Sequence, residues 1–200
     1  MIKKKGDLVI CISGMAGSGK STLARKIAKR YDLLYFSGGN ALKQLAIEKG
    51  YKPKSKGWWE SEEGLRFLEE RKKNKTFDEE IDYMLLEMAD RGNVVLDSWT
   101  MPWLLKKEAF KIWLKVSLEK RAERAAKRDQ MDPQNIINII QEKDEMTRSI
   151  YKNLYGFDLG RDLSPFDLIL NTDRFSSYEV YGVVSKVTDL YVKIIHYKTD

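Results

Sequence analysis

One cysteine stands among the 200 residues, so the chain can close no disulfide on itself and nothing points to secretion. With a single histidine, His196, there is no Cys/His cluster of the kind that holds structural zinc, and His196 reads as a bystander. Four prolines and 13 glycines, with no internal repeat, exclude collagen-like and low-complexity chains. Long hydrophobic runs are also missing. The longest, around Leu8–Ile12, is about six residues against the ~20 that span a bilayer. Lys3, Lys4 and Lys5 imitate the basic start of a signal peptide, but the apolar run after them is too short. Gly14-Met15-Ala16-Gly17 does not continue it as a cleavage site would. These absences predict a soluble cytoplasmic protein without a membrane partner; a monomer is the expectation for its assembly.

What is present suffices for a folded core. Hydrophobic residues make up 42% of the chain and charged residues 33%, at a length that fits one domain. Lysine and arginine exceed aspartate and glutamate by 36 to 30, a formal charge of +6. That excess suits a phosphate-bearing partner without choosing between nucleotide, RNA and membrane surface.

Leu8-Val9-Ile10-Cys11-Ile12-Ser13 is apolar without alternation, the pattern of a parallel strand covered on both faces, with Cys11 a small buried residue in it. A helix is predicted from Lys20 to Tyr31, a second strand over Leu33–Phe36 and a helix over Asn40–Lys49. Between Gly50 and Lys75 the glycines Gly50, Gly57 and Gly64, with Pro53, break the pattern, which predicts a loop-rich, mobile excursion. A helix over Asp78–Arg91 and a buried strand over Val94–Asp97 follow. Then come a strand over Phe110–Val116 and a basic helix capped by Ser117. Asp132-Pro133 opens another helix, Leu168–Leu170 is a last strand, and Ser176 with Glu179 has capping-box spacing before a final helix toward Ile195. Five strands alternating with helices give an α/β class, a mostly parallel sheet with helices on both faces.

Gly14-Met15-Ala16-Gly17-Ser18-Gly19-Lys20-Ser21 matches the phosphate-binding P-loop at every fixed position, between a strand and a helix. Glycines let the backbone wrap closely so that its N–H groups converge on phosphate oxygens, and the helix N-terminus adds partial positive charge. Lys20 is expected to reach the β- and γ-phosphates of ATP, and the Ser21 hydroxyl to hold Mg²⁺; Thr22 follows at the same helix start. Asp97, at a strand end, has two readings: a carboxylate that orders Mg²⁺ or contacts the acceptor, or a cap on the following turn. Arg121, Arg124 and Arg128 share a helical stripe suited to phosphate, with a solvated face as the alternative for each alone. Arg148 is placed either over the same site or in a surface ion pair. Trp58-Trp59, near Lys52, Lys54, Lys56 and Arg66, reads either as a stacking platform for a base or RNA, or as an apolar anchor.

Together these features resemble the nucleoside monophosphate kinases, and in detail the archaeal type of cytidylate kinase. Ile112-Trp113-Leu114-Lys115 and Arg121-Ala122-Glu123-Arg124-Ala125-Ala126-Lys127-Arg128 look like the family's strand and lid helix. Tyr151–Asp158, Asp162-Leu163-Ser164 and Asp167–Thr172 resemble its C-terminal signature. The resemblance implies a three-layer P-loop kinase fold in one domain: a core over 1–49 and 76–200, an acceptor-binding insertion over 50–75 and a lid over 117–160. It implies transfer of the ATP γ-phosphoryl group to CMP or dCMP with Mg²⁺. Lys20, Arg124 and Arg128 would neutralise charge, and Asn171 and Thr172 would lie near the adenine. The acceptor would meet Ser37, Gly39, Asn40, Lys43, Asp97, Trp99 and Arg128.

The acceptor side departs from the family pattern. Ser37-Gly38-Gly39-Asn40-Ala41-Leu42-Lys43 lacks the usual acidic residue and has lysine in place of arginine; Asp97-Ser98-Trp99 has tryptophan where an arginine would hold the acceptor. Two alternatives follow: a kinase for a hydroxyl on a metabolite or RNA, with Asp97 as base, and an ATP-gated RNA-binding or regulatory protein.

Overall fold

Five strands alternate with helices in the computed structural model, which describes residues 8–53, 57–129 and 132–197. Lys3, Lys4, Lys5, Lys54 and Lys56 lie outside the described residues, as does the side chain of His196. Strand β1 (Val9–Ser13) is buried throughout and pairs in parallel with β3 (Val94–Asp97) and β4 (Phe110–Lys115). Strands β2 (Leu34–Ser37) and β5 (Leu168–Asn171) form the edges, so the order is β2-β3-β1-β4-β5 and every pairing is parallel. The outer strands are only partly covered, which is why their apolar runs are shorter and mixed.

Alternation along β1 divides the core. Ile10 and Ile12 join Leu23 and Ile27 of helix α1 (Lys20–Tyr31), and Val180 and Val184 of the C-terminal helix, on one face. Val9 and Cys11 face Leu42 of α2 (Gly38–Glu48), Phe67 of α3 (Glu62–Lys73) and Leu85 of α4 (Thr76–Arg91) on the other. Cys11 is fully buried, and burial pushes its thiol up to about 12, so it is an inert core residue. After β3 comes the four-residue helix α5 (Met101–Leu104). Helices α6 (Leu118–Asp129) and α7 (Pro133–Tyr155) pack on each other through Ala122, Ala125, Ala126, Ile136 and Ile140. Helix α8 (Ser177–Tyr197) closes the chain behind a reciprocal cap: the Ser176 N–H donates to Glu179 at 2.7 Å and the Glu179 N–H to Ser176 Oγ at 3.3 Å. No described helix is long and apolar enough to cross a membrane.

The main departure lies in the segment expected to be loop-rich. A 3-10 turn over Trp58–Glu60 leads into α3, capped by Ser61, whose Oγ accepts the Gly64 N–H at 3.2 Å. Gly64, read as a breaker, is inside that helix for a steric reason. A Cβ there would lie 2.1 Å from the Trp58 carbonyl oxygen, which folds back over the first helical turn. The short α5 carries no sequence signal, four residues being too few to show a period. Helix α2 starts at Gly38 rather than Asn40, because Ser37 Oγ accepts the Asn40 N–H and caps it.

Candidate functional site

The P-loop runs from the end of β1 into α1 at the carboxyl ends of the strands, where an open parallel sheet places its ligand crevice. Three side chains, one from the turn after β3 and two from α6, hold its carbonyls. Trp99 Nε1 donates to the Gly14 oxygen at 2.8 Å, Arg121 Nη1 to that of Ala16 at 3.1 Å, and Arg124 Nη1 to that of Ser18 at 3.1 Å. Gly17 has φ 79°, and a Cβ there would stand 3.0 Å from the Arg121 carbonyl oxygen, so the helix of arginines lies directly against the loop. Arg121 is buried rather than on a solvated face, its Nη2 donating to Asp144 at 2.7 Å.

Two cavities open on this loop. The larger, about 560 Å³, is lined by Gly17–Leu23, Arg124, Thr172 and Phe175 among others; the second, about 290 Å³, extends from Ala16 past Ser37, Asp97 and α4 to Tyr151. They share Gly17, Lys20, Ser21 and Arg128, so an ammonium, a hydroxyl and a guanidinium stand at the junction of two compartments. The ammonium of Lys20 lies 5.3 Å from the centroid of the Trp99 ring.

On the side of the larger cavity, Ser18, Gly19, Ser21 and Thr22 line the wall, and the buried Ser18 Oγ has no hydrogen-bond partner among the described residues. Arg124 bridges the Ser18 and Thr172 carbonyls, the latter at 3.3 Å, while facing the same space. Asn171 stands apart from the wall, its side chain accepting the Asp173 N–H at 3.0 Å. Gly14 and Met15 do not line either cavity; the Met15 side chain packs beside Trp113 and Leu159.

On the smaller side, Asp97 is 2% exposed at the tip of β3, beside Ser37 in the register of β2. One of its oxygens accepts from Tyr35 at 3.0 Å and Ser37 at 3.4 Å; the other is buried with no partner among the described residues. Burial and the Asp97 carboxylate push the Tyr35 hydroxyl's pKa up, which keeps it a donor. Gly39, Asn40 and Lys43 from α2 line the same wall, as does Trp99, whose N–H is already given to the P-loop.

Several charged residues of this cavity were not singled out by the sequence. Arg71 and Asp78 form a bidentate buried pair at 3.1 and 2.6 Å, and Arg71 also donates to the Tyr151 hydroxyl at 3.2 Å. One turn along α4, Asp82 accepts from the hydroxyls of Thr100 and Tyr155. Burial pushes its carboxyl up to about 6, against the pull of those two donors. Glu60 accepts from Lys143 at 2.6 Å and from Arg128 at 2.9 Å. The one legible hint was Tyr151, in the C-terminal signature; the others are brought together from α3, α4, α7 and the 3-10 turn.

Of the tryptophan pair, Trp58 takes the anchoring role, while Trp59 is partly buried and lines the smaller cavity. Trp58 is 2% exposed, donates its N–H to Glu63 at 2.6 Å and packs against Trp59, Tyr51 and Phe67, so it cannot stack on a base. Arg148 neither closes over the P-loop nor forms a surface ion pair among the described contacts. Its Nε donates to the Leu159 carbonyl at 3.2 Å.

Comparison with known proteins agrees with this geometry. Residues 9–174 match the model of the cytidylate kinase-like family. The chain is 37% identical over 185 residues to the cytidylate kinase of Pyrococcus horikoshii, spanning 92% of this chain and 90% of that one. It is 33% identical to the cytidylate kinase of Methanocaldococcus jannaschii, spanning 91% and 98%. Among solved structures, shikimate kinase from Bacteroides thetaiotaomicron superposes with a TM-score of 0.57 at 17% identity, covering 92% of this chain and 98% of that one, a likeness of fold alone. A P-loop clasped at three carbonyls, a parallel sheet and these relatives have one reading: the chain belongs to the cytidylate kinase-like family of P-loop phosphotransferases.

Proposed function

We propose that this enzyme transfers the γ-phosphoryl group of ATP to the phosphate of CMP or dCMP. The observation that carries the reading is the shared wall of the two cavities. Donor and acceptor would enter from opposite sides and meet at Lys20, Ser21 and Arg128. In-line transfer breaks the bond from the γ-phosphorus to the β-bridging oxygen and forms one to an acceptor phosphate oxygen. Lys20, Arg124 and Arg128 would neutralise charge on the transferring group. The P-loop amides would fix the triphosphate without having to reorganise.

The residues present fit a magnesium ion. Asp97 has a buried oxygen without a partner among the described residues, and Ser21 lines both cavities. No group of three His, Cys, Asp or Glu side chains is found among the described residues, as suits a cation completed by phosphate and water. When bound, Mg²⁺ would neutralise the β- and γ-phosphate oxygens; Ser21 and Asp97 would hold it. Asn40 and Gly39 would border the acceptor, with Lys43 near its phosphate. Helices α6 and α7, within 117–160, would act as the lid, and 50–75 as the acceptor-binding segment.

Cytosine is favoured by the chemistry of the inner wall. Its edge presents an amine donor beside two acceptors. Arg71 uses Nε and Nη2 on Asp78 and Tyr151, leaving Nη1 for a ligand, while Asp78 and Asp82 are acceptors in the same cavity. The test is an acceptor screen with ATP and Mg²⁺ in an ADP-coupled assay. CMP and dCMP should turn over faster than UMP, AMP and GMP, and no turnover with any nucleoside monophosphate overturns the proposal.

A further inference from the structure

Glu60 is a carboxylate where the proposed reaction calls for positive charge. Its side chain is 4% exposed on the turn that enters α3. Oε1 accepts from Lys143 Nζ at 2.6 Å and Oε2 from Arg128 Nη2 at 2.9 Å. All three residues line the smaller cavity together with Lys20. Lys143 is itself 6% exposed. Burial pulls its pKa down, Lys20 and Arg128 pull in the same direction, and Glu60 opposes them. Three cations and one carboxylate therefore converge on one wall of a ligand-sized space.

A second observation points to a ligand at the same place. Thr147, one turn along α7 from Lys143, is 1% exposed and lines the cavity, and its Oγ1 has no partner among the described residues. Buried hydroxyls are nearly always paired, so a donor left over beside a cation cluster marks the position of an acceptor oxygen. The Glu60 carboxylate offers two oxygens, both taken; a phosphate group offers three.

We propose that Glu60 stands in for the phosphate of the acceptor substrate. Without acceptor its carboxylate holds Lys143 and Arg128 in place. The incoming phosphate displaces it, takes both cations and accepts the Thr147 hydroxyl as well. The exchange keeps Lys143 paired throughout, since leaving it uncompensated would be strongly unfavourable; the displaced Glu60 carboxylate would have to turn out of the cluster toward water. The inference rests on the phosphate-acceptor reading above and adds Lys143 and Thr147 as acceptor-phosphate ligands, with Glu60 as their internal competitor.

Calorimetric titration at low ionic strength tests it with three probes: CMP, inorganic phosphate and cytidine. Lys143→Met should weaken CMP by about tenfold or more, the loss of one charge-assisted contact, and Lys143→Arg should restore most of it. Glu60→Gln should tighten CMP and phosphate by roughly fivefold, because the competitor has lost its charge. Cytidine, having no phosphate, should bind all four proteins alike. Where Glu60→Gln lowers stability, thermal melts report the same exchange: phosphate should raise its melting temperature more than that of the parent enzyme. Unchanged or weaker CMP and phosphate affinity in Glu60→Gln overturns the proposal, as does equal CMP affinity in Lys143→Met. Failure of the parent enzyme to bind any nucleoside monophosphate is a different result and sinks the acceptor reading instead.

Discussion

Arg121 and Asp144 meet at 2.7 Å in an almost fully buried ion pair, and the same guanidinium donates to the Ala16 carbonyl of the P-loop at 3.1 Å. Removing one partner strands the other charge, so Arg121→Ala should lose about 3–5 kcal/mol of stability. The double variant Arg121→Met, Asp144→Leu should recover most of that loss, since an apolar pair of similar volume avoids the desolvation cost. Affinity for a non-hydrolysable ATP analogue should stay weakened in both. Denaturant melts paired with analogue titrations separate the two effects; full recovery of nucleotide affinity in the double variant would show that the brace on Ala16 is dispensable.

Gly64 and Gly182 are both helical glycines with opposite surroundings. Gly64→Ala forces a Cβ to 2.1 Å from the Trp58 carbonyl, while Gly182 in α8 has open space. Gly64→Ala should destabilise by about 2–3 kcal/mol as the turn is pushed off α3. Gly182→Ala should stabilise by roughly 0.5–1 kcal/mol through helix propensity alone. Melting temperatures of the two variants moving in the same direction would contradict the packing described for the 3-10 turn.

Asp82 gives a pH dependence with a definite sign. Its carboxyl is raised by burial from 3.8 to about 6. The folded state therefore binds a proton more tightly than the unfolded chain. The resulting stabilisation is complete below about pH 4 and is lost as pH rises through about 6. Two units correspond to about 3 kcal/mol. The stability difference between parent and Asp82→Asn should shift by that order between pH 4 and 7, in favour of the variant at neutral pH. A difference flat across this range counts against the buried, donor-flanked carboxylate.

Trp99 lines the smaller cavity, but its N–H is given to Gly14 and its ring lies beside Lys20. Trp99→Phe keeps a ring and removes the donor. ATP-analogue affinity should fall about fivefold to tenfold, the scale of one lost hydrogen bond, with CMP affinity changed less than twofold. The opposite ranking in paired titrations would place Trp99 in the acceptor site.

The parts legible in the sequence are those governed by local pattern. The P-loop announces itself because backbone geometry demands glycine at fixed spacing, and β1 because a strand covered on both faces has no polar position to spare. Ser117 and the Ser176–Glu179 pair were readable as caps for the same reason. Gly64 misled because a glycine required by a neighbouring carbonyl looks the same in sequence as one that ends a helix. Arg71, Asp82, Glu60 and Lys143 were invisible because each acquires its meaning from a partner on another element. Glu60 and Lys143 are separated by 83 positions, and nothing in either local stretch distinguishes them from solvated charges.

The carbonyls of Gly14, Ala16 and Ser18 are tied down by an indole and two guanidinium groups. Such a loop surrenders its conformational freedom once, when the chain folds, instead of each time a nucleotide arrives. Nucleotide capture should then behave as docking into a rigid mould: association close to the orientation-limited rate, little change in amide exchange along residues 14–19, and an affinity that varies with temperature no more than the buried ligand surface requires.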